Sequence, residues 1–430
     1  MDKDLIKRML VEFQKGRPLK TVERELKLPL ELFSGNIRKA VIITGPRRAG
    51  KTYYLYQLAA SLTGKNVLYF DFEDERIIKP KPEDLTLILE CYFELYPETK
   101  IDGLFVFLDE VENVEGWEKF VHRILERGAR VFITGSSSKL LAKEISTAMR
   151  GRSVSFRLDP LSFREFLRIK GVSTEPNAVI YGEARFKALK MLEEYMMWGG
   201  FPEIALVEEE RLKKFILQEY LLTMMHRDVE ERYKVENRGA LENLIKFLVT
   251  NISTTVSFNQ IEQWMNSIGI RVSRSTLIEY SGYLESAFSF SFADKFNYSV
   301  KKQLRSLPKV YASDVGLHTA NAFKYSKDLG RIAENIVYNH LVNSGKDVYY
   351  DANGYECDFV VKQGERIVDA IQVCWKLDEE NKAREIKGLV SSMKKFRLKE
   401  GIVVNSDQKK EEEVEGMKIK YVPMIEFLLG

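Results

Sequence analysis

Eight consecutive residues, Gly45-Pro46-Arg47-Arg48-Ala49-Gly50-Lys51-Thr52, carry the most specific chemistry in the sequence. They fit G-x-x-x-x-G-K-[ST] and stand between the apolar run AVIIT and the helical stretch TYYLYQLAASL. In that setting the glycines let backbone N–H groups wrap phosphate oxygens, and the helix start adds its positive dipole. Lys51 spans the terminal phosphates and the Thr52 hydroxyl ligates Mg2+. The expected cofactors are therefore ATP and Mg2+.

A metal held by Thr52 needs an acidic partner, and the run LFVFLDE at 104–110 supplies one at a strand end. Asp109 is placed to hold the metal, commonly through water, and Glu110 to polarise the attacking water, which points to hydrolysis rather than passive binding. The next apolar run, RVFITG, leads into Ser136-Ser137-Ser138, where Ser136 is the first choice for sensing the γ-phosphate. Further on, AMRGRSV offers Arg150 or Arg152 as a group that reaches a neighbouring subunit's nucleotide and stabilises transition-state charge. Such a finger implies a homo-oligomer, either a ring or a dimer.

These groups need a scaffold, and the hydrophobic pattern indicates an α/β one. AVIITG, NVLYFDF, GLFVFLDE, ARVFITG and SVSFRLDP are continuous β-rich runs separated by helical stretches. Such runs belong to a parallel sheet covered on both faces by helices. Residues 1–38 read as a basic helical lead-in, with LIKRMLVEF apolar on one helical face and TVERELKL as a second short helix. The sheet core occupies 39–160, a helical lid or linker 161–238 with GGFP as a joint, and a further helix-rich block 239–325. From 326 to 430 a helix, several strands and a charged helix alternate again, a second and smaller α/β domain. The charge block QKKEEEVE at 408–415 reads as a solvated loop.

Composition bounds the rest. In 430 residues, 45% hydrophobic and 11% aromatic content suffices for packed cores. Cys91, Cys357 and Cys374 are widely spaced, which supports neither a disulfide framework nor a zinc site and fits a reducing cytoplasm. No apolar run reaches the roughly 18 residues that span a bilayer, so no membrane association is expected. Abundant Lys and Glu lean towards a thermophile. The net charge is only +3, but residues 1–40 hold ten Lys/Arg against six Asp/Glu, and 271–310 hold seven against three. Both are candidate anion-facing surfaces.

Residues 240–320, which contain the second of these regions, suggest a winged helix-turn-helix. LENLIKFLVTNI is the first helix, SFNQIEQWMNSIG the second, capped by Ser257 and closed near Gly269, and SRSTLIEYSGYLESAF the third, capped by Ser273. Leu277, Tyr280, Leu284 and Ala287 form the buried face of that third helix, leaving Arg274, Ser275 and Glu279 outward. A hairpin-like segment then carries Lys301, Lys302 and Arg305. Arg271, Arg274, Ser275 and these wing cations are placed to contact DNA phosphates with little base readout. The other reading is a helical packing module between two α/β domains.

Taken in order, GPRRAGKT, FLDEVENVEGWE, ITGSSSKLL, RGRSVSFRLDPLSFREF, WGGFPE, GRIAENIVYNHL and ECDFVV resemble the AAA-family ATPases of archaea and bacteria. In that group an ATPase core leads into a winged helix and a restriction-endonuclease-like C-terminal domain. The resemblance covers nearly the whole chain. It implies an ASCE-type sheet, in which another strand separates those of Walker A and Walker B, with Glu110 catalytic. The metal site of a nuclease of the C-terminal fold combines a helix Glu, a strand Asp and an [E/Q]-x-K pair. Glu334, Asp358 and Gln372 match the first three, but Cys374 stands where the lysine belongs, and a neutral thiol cannot activate water or steady phosphate charge. Lys376, on the same strand face roughly 7 Å further along, is the substitute the spacing offers.

The combined expectation is an oligomeric, Mg2+-dependent ATPase that binds structured or branched duplex DNA and couples hydrolysis to remodelling it or moving along it. The rival is a nucleotide-controlled switch or scaffold with a protein partner. A third possibility is a nuclease gated by ATP.

Overall fold

The structure, a computed structural model, describes residues 1–15, 22–34, 37–62, 66–135, 151–180, 182–322 and 329–430. The chain divides into two compact units, Met1–Asp159 and Pro160–Gly430.

The first unit opens with helices α1 (Lys3–Lys15) and α2 (Glu31–Ser34) and continues as β1 (Ala40–Thr44), α3 (Lys51–Ser61), β2 (Val67–Asp71), α4 (Pro82–Leu95), β3 (Phe105–Asp109), α5 (Trp117–Glu126), β4 (Arg130–Thr134) and β5 (Ser153–Arg157). The five strands are parallel, in the order β2-β3-β4-β1-β5. β4 therefore lies between the strand that precedes the glycine loop and the strand that ends in Asp109, as the ASCE resemblance implies. Alternation along the strands explains why the runs are apolar without a break. Ile42, Phe70, Val106 and Ile133 pack with α1, α4 and α5, whereas Val41, Tyr69, Phe107 and Phe132 pack with Tyr54 and Leu55 of α3.

TVERELKL is not helical over its described part, residues 22–28. Tertiary partners replace the helix ladder there: Tyr54 Oη donates to the Leu26 carbonyl at 2.8 Å, and Gln57 Nε2 donates to that of Val22. Arg24 is buried and donates to the carbonyls of Ala49 and Asp159 at 2.8 and 2.6 Å, bracing the glycine loop from behind.

The second unit begins with α6 (Phe163–Ile169), α7 (Pro176–Ile180), α8 (Ala184–Trp198), α9 (Pro202–Leu206) and α10 (Glu210–Thr223), which runs on into a π-helical segment at Met224–Glu230. In LSFREF, Ser162 and Glu165 form a reciprocal capping box at the start of α6. The joint WGGFP is fixed by Asp314, whose carboxylate accepts from the Gly200 and Gly316 N–H groups at 2.6 and 2.8 Å. Gly199 has φ +75°, and a Cβ there would lie 1.7 Å from an Asp314 carboxylate oxygen. Only glycine fits.

There follow α11 (Arg238–Thr250), β6 (Thr254–Thr255), α12 (Phe258–Ser267), α13 (Arg274–Ser286), β7 (Phe290–Ala293), the short α14 (Val300–Gln303), β8 (Lys309–Ala312) and α15 (Val315–Asn321). β6, β8 and β7 make an antiparallel sheet in that order. Ser257 and Ser273 cap α12 and α13 by accepting from Gln260 and Thr276 N–H groups. Leu277, Tyr280, Leu284 and Ala287 are buried.

The last part comprises α16 (Leu329–Asn343), β9 (Asp347–Asn353), β10 (Tyr355–Gln363), β11 (Arg366–Val373), α17 (Glu379–Phe396), β12 (Glu400–Asn405), β13 (Lys410–Val414), β14 (Met417–Pro423) and α18 (Met424–Leu429). The sheet order is β13-β14-β12-β11-β10-β9. The charge block is not a loop: residues 410–414 form edge strand β13, antiparallel to β14. Two of its glutamates are paired from neighbouring elements, Glu411 by Lys418 at 2.8 Å and Glu412 by Lys382 at 2.9 Å, and a charged edge discourages pairing with other chains. One apolar core runs from α6 through the three-stranded sheet to α18, so these segments share their interior. Among the described residues, no helix is long and apolar enough to cross a membrane.

Candidate functional site

The glycine loop joins the C-terminal end of β1 to the first turn of α3. Gly45 (φ +145°), Arg48 (φ +66°) and Gly50 (φ +91°) take left-handed conformations, which turn the backbone into a concave loop. At Gly45 a Cβ would lie 2.0 Å from the Leu158 carbonyl oxygen, so the loop is closed against the segment after β5. Lys51 is buried, and its Nζ donates to the Gly45 and Pro46 carbonyls at 3.1 Å each. Thr52 follows it in the first turn of α3, Arg47 pairs with Glu73 at 3.1 Å, and Arg48 is exposed. A cradle of this shape, with a lysine at its base and a hydroxyl beside it, fits a nucleotide's phosphates. Thr52 and Asp109 are the residues that would hold Mg2+, whose charge would offset that of the phosphates and so ease the approach of a nucleophile.

Asp109 is 1% exposed at the end of β3. Tyr69 Oη donates to its Oδ2 at 2.8 Å and the Thr134 hydroxyl donates to its Oδ1. Both oxygens being hydrogen-bonded, Asp109 suits a contact through water more than a direct one. Glu110 sits at φ +49°, a conformation uncommon for a non-glycine residue, with its N–H donating to Thr134 Oγ1 at 3.0 Å. Its carboxylate lies 4.0 Å from Lys51 Nζ. Burial first, then the charges of Glu112 and Asp109, push Glu110 up to about 8 against the opposing pull of Lys51. Asp71, in register with Asp109 on β2, is pushed up to about 6 by burial and by Asp109.

Thr134 is the residue that sequence reasoning missed. It is fully buried at the end of β4 and hydrogen-bonded to both members of the acidic pair. The signal that drew attention to Ser136, a hydroxyl near the end of this strand, applied equally to Thr134. What decides is the register Leu108↔Ile133, which brings Thr134 beside Asp109. Ser136 and Arg150 lie outside the described residues. Arg152 precedes β5 and bonds Glu126 at 2.8 Å and the His122 ring at 2.7 Å, while its carbonyl accepts from Ala40 N–H at the start of β1. It therefore occupies the end of the sheet opposite Lys51, a strand length of roughly 16 Å away. It cannot reach the glycine loop of its own chain.

In the second unit, Arg271, Arg274 and Ser275 are exposed around the start of α13, and Lys301, Lys302 and Arg305 are exposed between β7 and β8. The Arg274 N–H donates to Glu262 at 3.1 Å, and Ser275 Oγ shares a hydrogen bond with Ser273 Oγ at 2.8 Å.

The C-terminal acids do come together, around an unexpected cation. Glu334 of α16 and Asp358 of β10 both accept from Lys309 Nζ, at 2.9 and 3.1 Å, and Glu356 accepts from it at 2.6 Å. Tyr311 Oη donates to Glu334 at 2.8 Å. Burial opposes the charge on Lys309, yet Glu334, Tyr311, Asp358 and Glu356 hold it well above the usual lysine range. Burial, then the Asp358 charge, raises Glu334 above the usual carboxylate range, against the opposing pull of Lys309 and the hydrogen bonds from Lys309 and Tyr311. Gln372 accepts from Asp358 N–H at 3.2 Å and donates to Glu385 at 2.6 Å.

Lys376 is not the substitute that strand spacing suggested. β11 ends at Val373, so the alternation that would have carried Lys376 onto the face of Gln372 stops three residues short. Lys376 is exposed in a turn where its carbonyl accepts from Asn381 at 2.7 Å. Cys374, at the expected lysine position, is buried with its thiol pushed up to about 12 by burial. Lys309 was legible in principle, because a lysine opening the buried strand KVYA demands an acid.

The loop after β1, the acids after β3 and the interposed β4 define a P-loop ATPase of AAA type. A family model of the AAA domain matches residues 37–167, and two models described as domains of unknown function (DUF8612 and DUF4143) match 189–326 and 329–426. An uncharacterized protein of Methanocaldococcus jannaschii is 33% identical over 388 residues, 89% of this chain and 84% of the relative. One of Haemophilus influenzae is 28% identical over 390 residues, covering 89% and 92%. Among solved structures, a Walker-type ATPase of Pyrococcus abyssi is similar over 71% of this chain and 99% of its own, at 12% identity and a TM-score of 0.48. The chain belongs to the family of the M. jannaschii protein, AAA-domain ATPases with a C-terminal DUF4143 domain, and is an ATP-hydrolysing enzyme.

Proposed function

We propose that this ATPase binds DNA, in particular structured or branched duplex, and couples Mg2+-dependent hydrolysis to remodelling it or moving along it. The observation that carries the reading is one module. Three helices and a three-stranded sheet, which this reading takes as a winged helix, expose Arg271, Arg274 and Ser275 around the start of α13 and Lys301, Lys302 and Arg305 between β7 and β8. Cations so placed contact phosphates and leave sequence unread. Residues 39–160 turn over nucleotide in this reading, 161–238 connect them to the winged helix at 239–325, and 326–430 grip the DNA backbone.

Within the ATPase core, Lys51 and Thr52 hold phosphates and metal, Asp109 holds the metal through water, and Glu110 orients the attacking water. Thr134 holds both acids and couples them to the γ-phosphate alongside Ser136. Arg150 or Arg152 acts on the nucleotide of a second copy, for which the far position of Arg152 is suited. Homo-oligomerisation follows from that role.

The test is ATP hydrolysis by wild type and Glu110→Gln at low and moderate salt, with no DNA, single strand, duplex and a four-way junction. Stimulation by one DNA form that salt weakens and Glu110→Gln abolishes is the expected result. A second reading, a nucleotide-controlled switch that docks a protein through the wing, is favoured by Tyr298 and Leu304, 73% and 75% exposed beside the wing cations. Turnover indifferent to every DNA, with no DNA bound, would discard the first reading in favour of this one.

A further inference from the structure

The resemblance to restriction endonucleases implies a divalent metal between Glu334 and Asp358. The donor set does not fit one. Mg2+ would take the same oxygens at roughly 2.1 Å, in the volume that Lys309 Nζ fills. We propose instead that Lys309 is the resident cation of this acidic site: its ammonium holds Glu334, Glu356 and Asp358 in place of a metal, and thereby fastens β8 to the C-terminal sheet.

Counting donors and acceptors supports this assignment. An ammonium has three N–H donors, and three carboxylates stand 2.6, 2.9 and 3.1 Å from Nζ, one for each. Two of the acids make further hydrogen bonds. Asp358 Oδ2 accepts from Val373 N–H at 3.0 Å, and Glu334 Oε1 accepts from Tyr311 Oη at 2.8 Å. Gln372, which the nuclease pattern assigns to the metal, is spent on Asp358 N–H and Glu385. A lysine that activates water beside a metal leaves the acids to the metal. This one binds the acids itself.

The cation comes from a different part of the unit than the acids do. Lys309 opens β8 of the three-stranded sheet, whereas Glu334, Glu356 and Asp358 lie on α16 and β10. The same seam is stitched again nearby. Phe296 N–H donates to the Tyr350 carbonyl at 2.8 Å, Tyr350 N–H donates to that of Asp294 at 3.1 Å, and Phe296 is buried in the C-terminal core. The segment between β7 and β8 is therefore held by the C-terminal domain at both of its ends.

Mn2+ uptake by the full-length, nucleotide-free protein, followed by the paramagnetic resonance signal of the free ion, tests the assignment. Wild type and Glu334→Gln are expected to take up Mn2+ identically, because the carboxylate already serves Lys309. Lys309→Ala gains one equivalent, and adding Asp358→Asn to that variant removes the gain. Uptake by wild type that drops by one equivalent in Glu334→Gln overturns the proposal, since metal and lysine would then share the site. So does a Lys309→Ala protein that keeps its ATP turnover yet gains no Mn2+. Should Lys309→Ala fail to fold, the comparison of wild type with Glu334→Gln decides alone.

Discussion

Lys51 and Lys309 are buried to nearly the same degree, 6% and 2% exposed, and both face carboxyl groups, yet their surroundings set them to opposite uses. Lys51 is held by two neutral carbonyls, and its acid, Glu110, stands 4.0 Å off with a carboxyl pushed up to about 8. Its charge is not cancelled in place. Lys309 is enclosed by three carboxylates and a tyrosine hydroxyl that is itself bonded to one of them. Burial alone therefore does not mark a lysine as functional. The balance of charge around it separates a group prepared for phosphate from one that closes a structure.

The comparison breaks most directly on stability. Removing one partner of a buried ionic cluster leaves uncompensated charge, so Lys309→Ala is expected to cost about 3–5 kcal/mol. Lys51→Ala removes two hydrogen bonds to carbonyls and is expected to cost only about 2 kcal/mol. Denaturant unfolding of the nucleotide-free variants checks both values. Equal losses would show that the two lysines are structurally alike after all.

Turnover sharpens the contrast from the other side. Glu110→Gln keeps the shape of the side chain but cannot take a proton, and its hydrolysis rate is expected to fall roughly 10²-fold or more. Lys309→Ala should hydrolyse ATP at the wild-type rate while it remains folded. Phosphate release under saturating ATP reads both. A Glu110→Gln rate within a few-fold of wild type would transfer the role to another residue.

The same glutamate gives a pH signature. Glu110 titrates near 8 in the folded chain against a usual 4.5, so the folded state binds more protons between those values. Stability contributed by this group therefore falls as pH rises through that window. Each unit is about 1.4 kcal/mol, so half the displacement corresponds to about 2 kcal/mol. Glu110→Gln should melt higher than wild type at pH 8, and the difference should close below pH 4.5. A difference independent of pH would place its origin elsewhere than in this carboxyl.

What the sequence made legible follows from how local each signal is. AVIIT and LFVFLD are buried on both faces, so composition alone identifies them as interior parallel strands, and GPRRAGKT needs only its immediate flanks to be read. The caps Ser257 and Ser273 act within three residues of themselves, and both were readable. TVERELKL misled because its carbonyls are taken by side chains of α3, some 28 residues on in the case of Leu26 and Tyr54. KEEEV looked like solvent-facing charge, but its pairing with β14 and the lysines opposite make it a strand. Lys309 meets Asp358 across 49 residues, a contact that no spacing rule supplies.

Thr134 gives the smallest expected effect and the finest test of how the acidic pair is set. Its hydroxyl donates to Asp109 and accepts from the Glu110 N–H, so one side chain positions both the metal-side acid and the acid proposed to direct water. Thr134→Val keeps the shape and removes both bonds, each worth about 1 kcal/mol. Turnover should drop on the order of tenfold, with the Mg2+ requirement shifted to higher concentration because Asp109 is less firmly oriented. Thr134→Ser restores the hydroxyl and should recover most of the rate. If Thr134→Val instead lowers stability while leaving the rate and the Mg2+ dependence alone, the hydroxyl is a packing partner at the end of β4, and positioning of the two acids rests on Tyr69 and the strained backbone at Glu110.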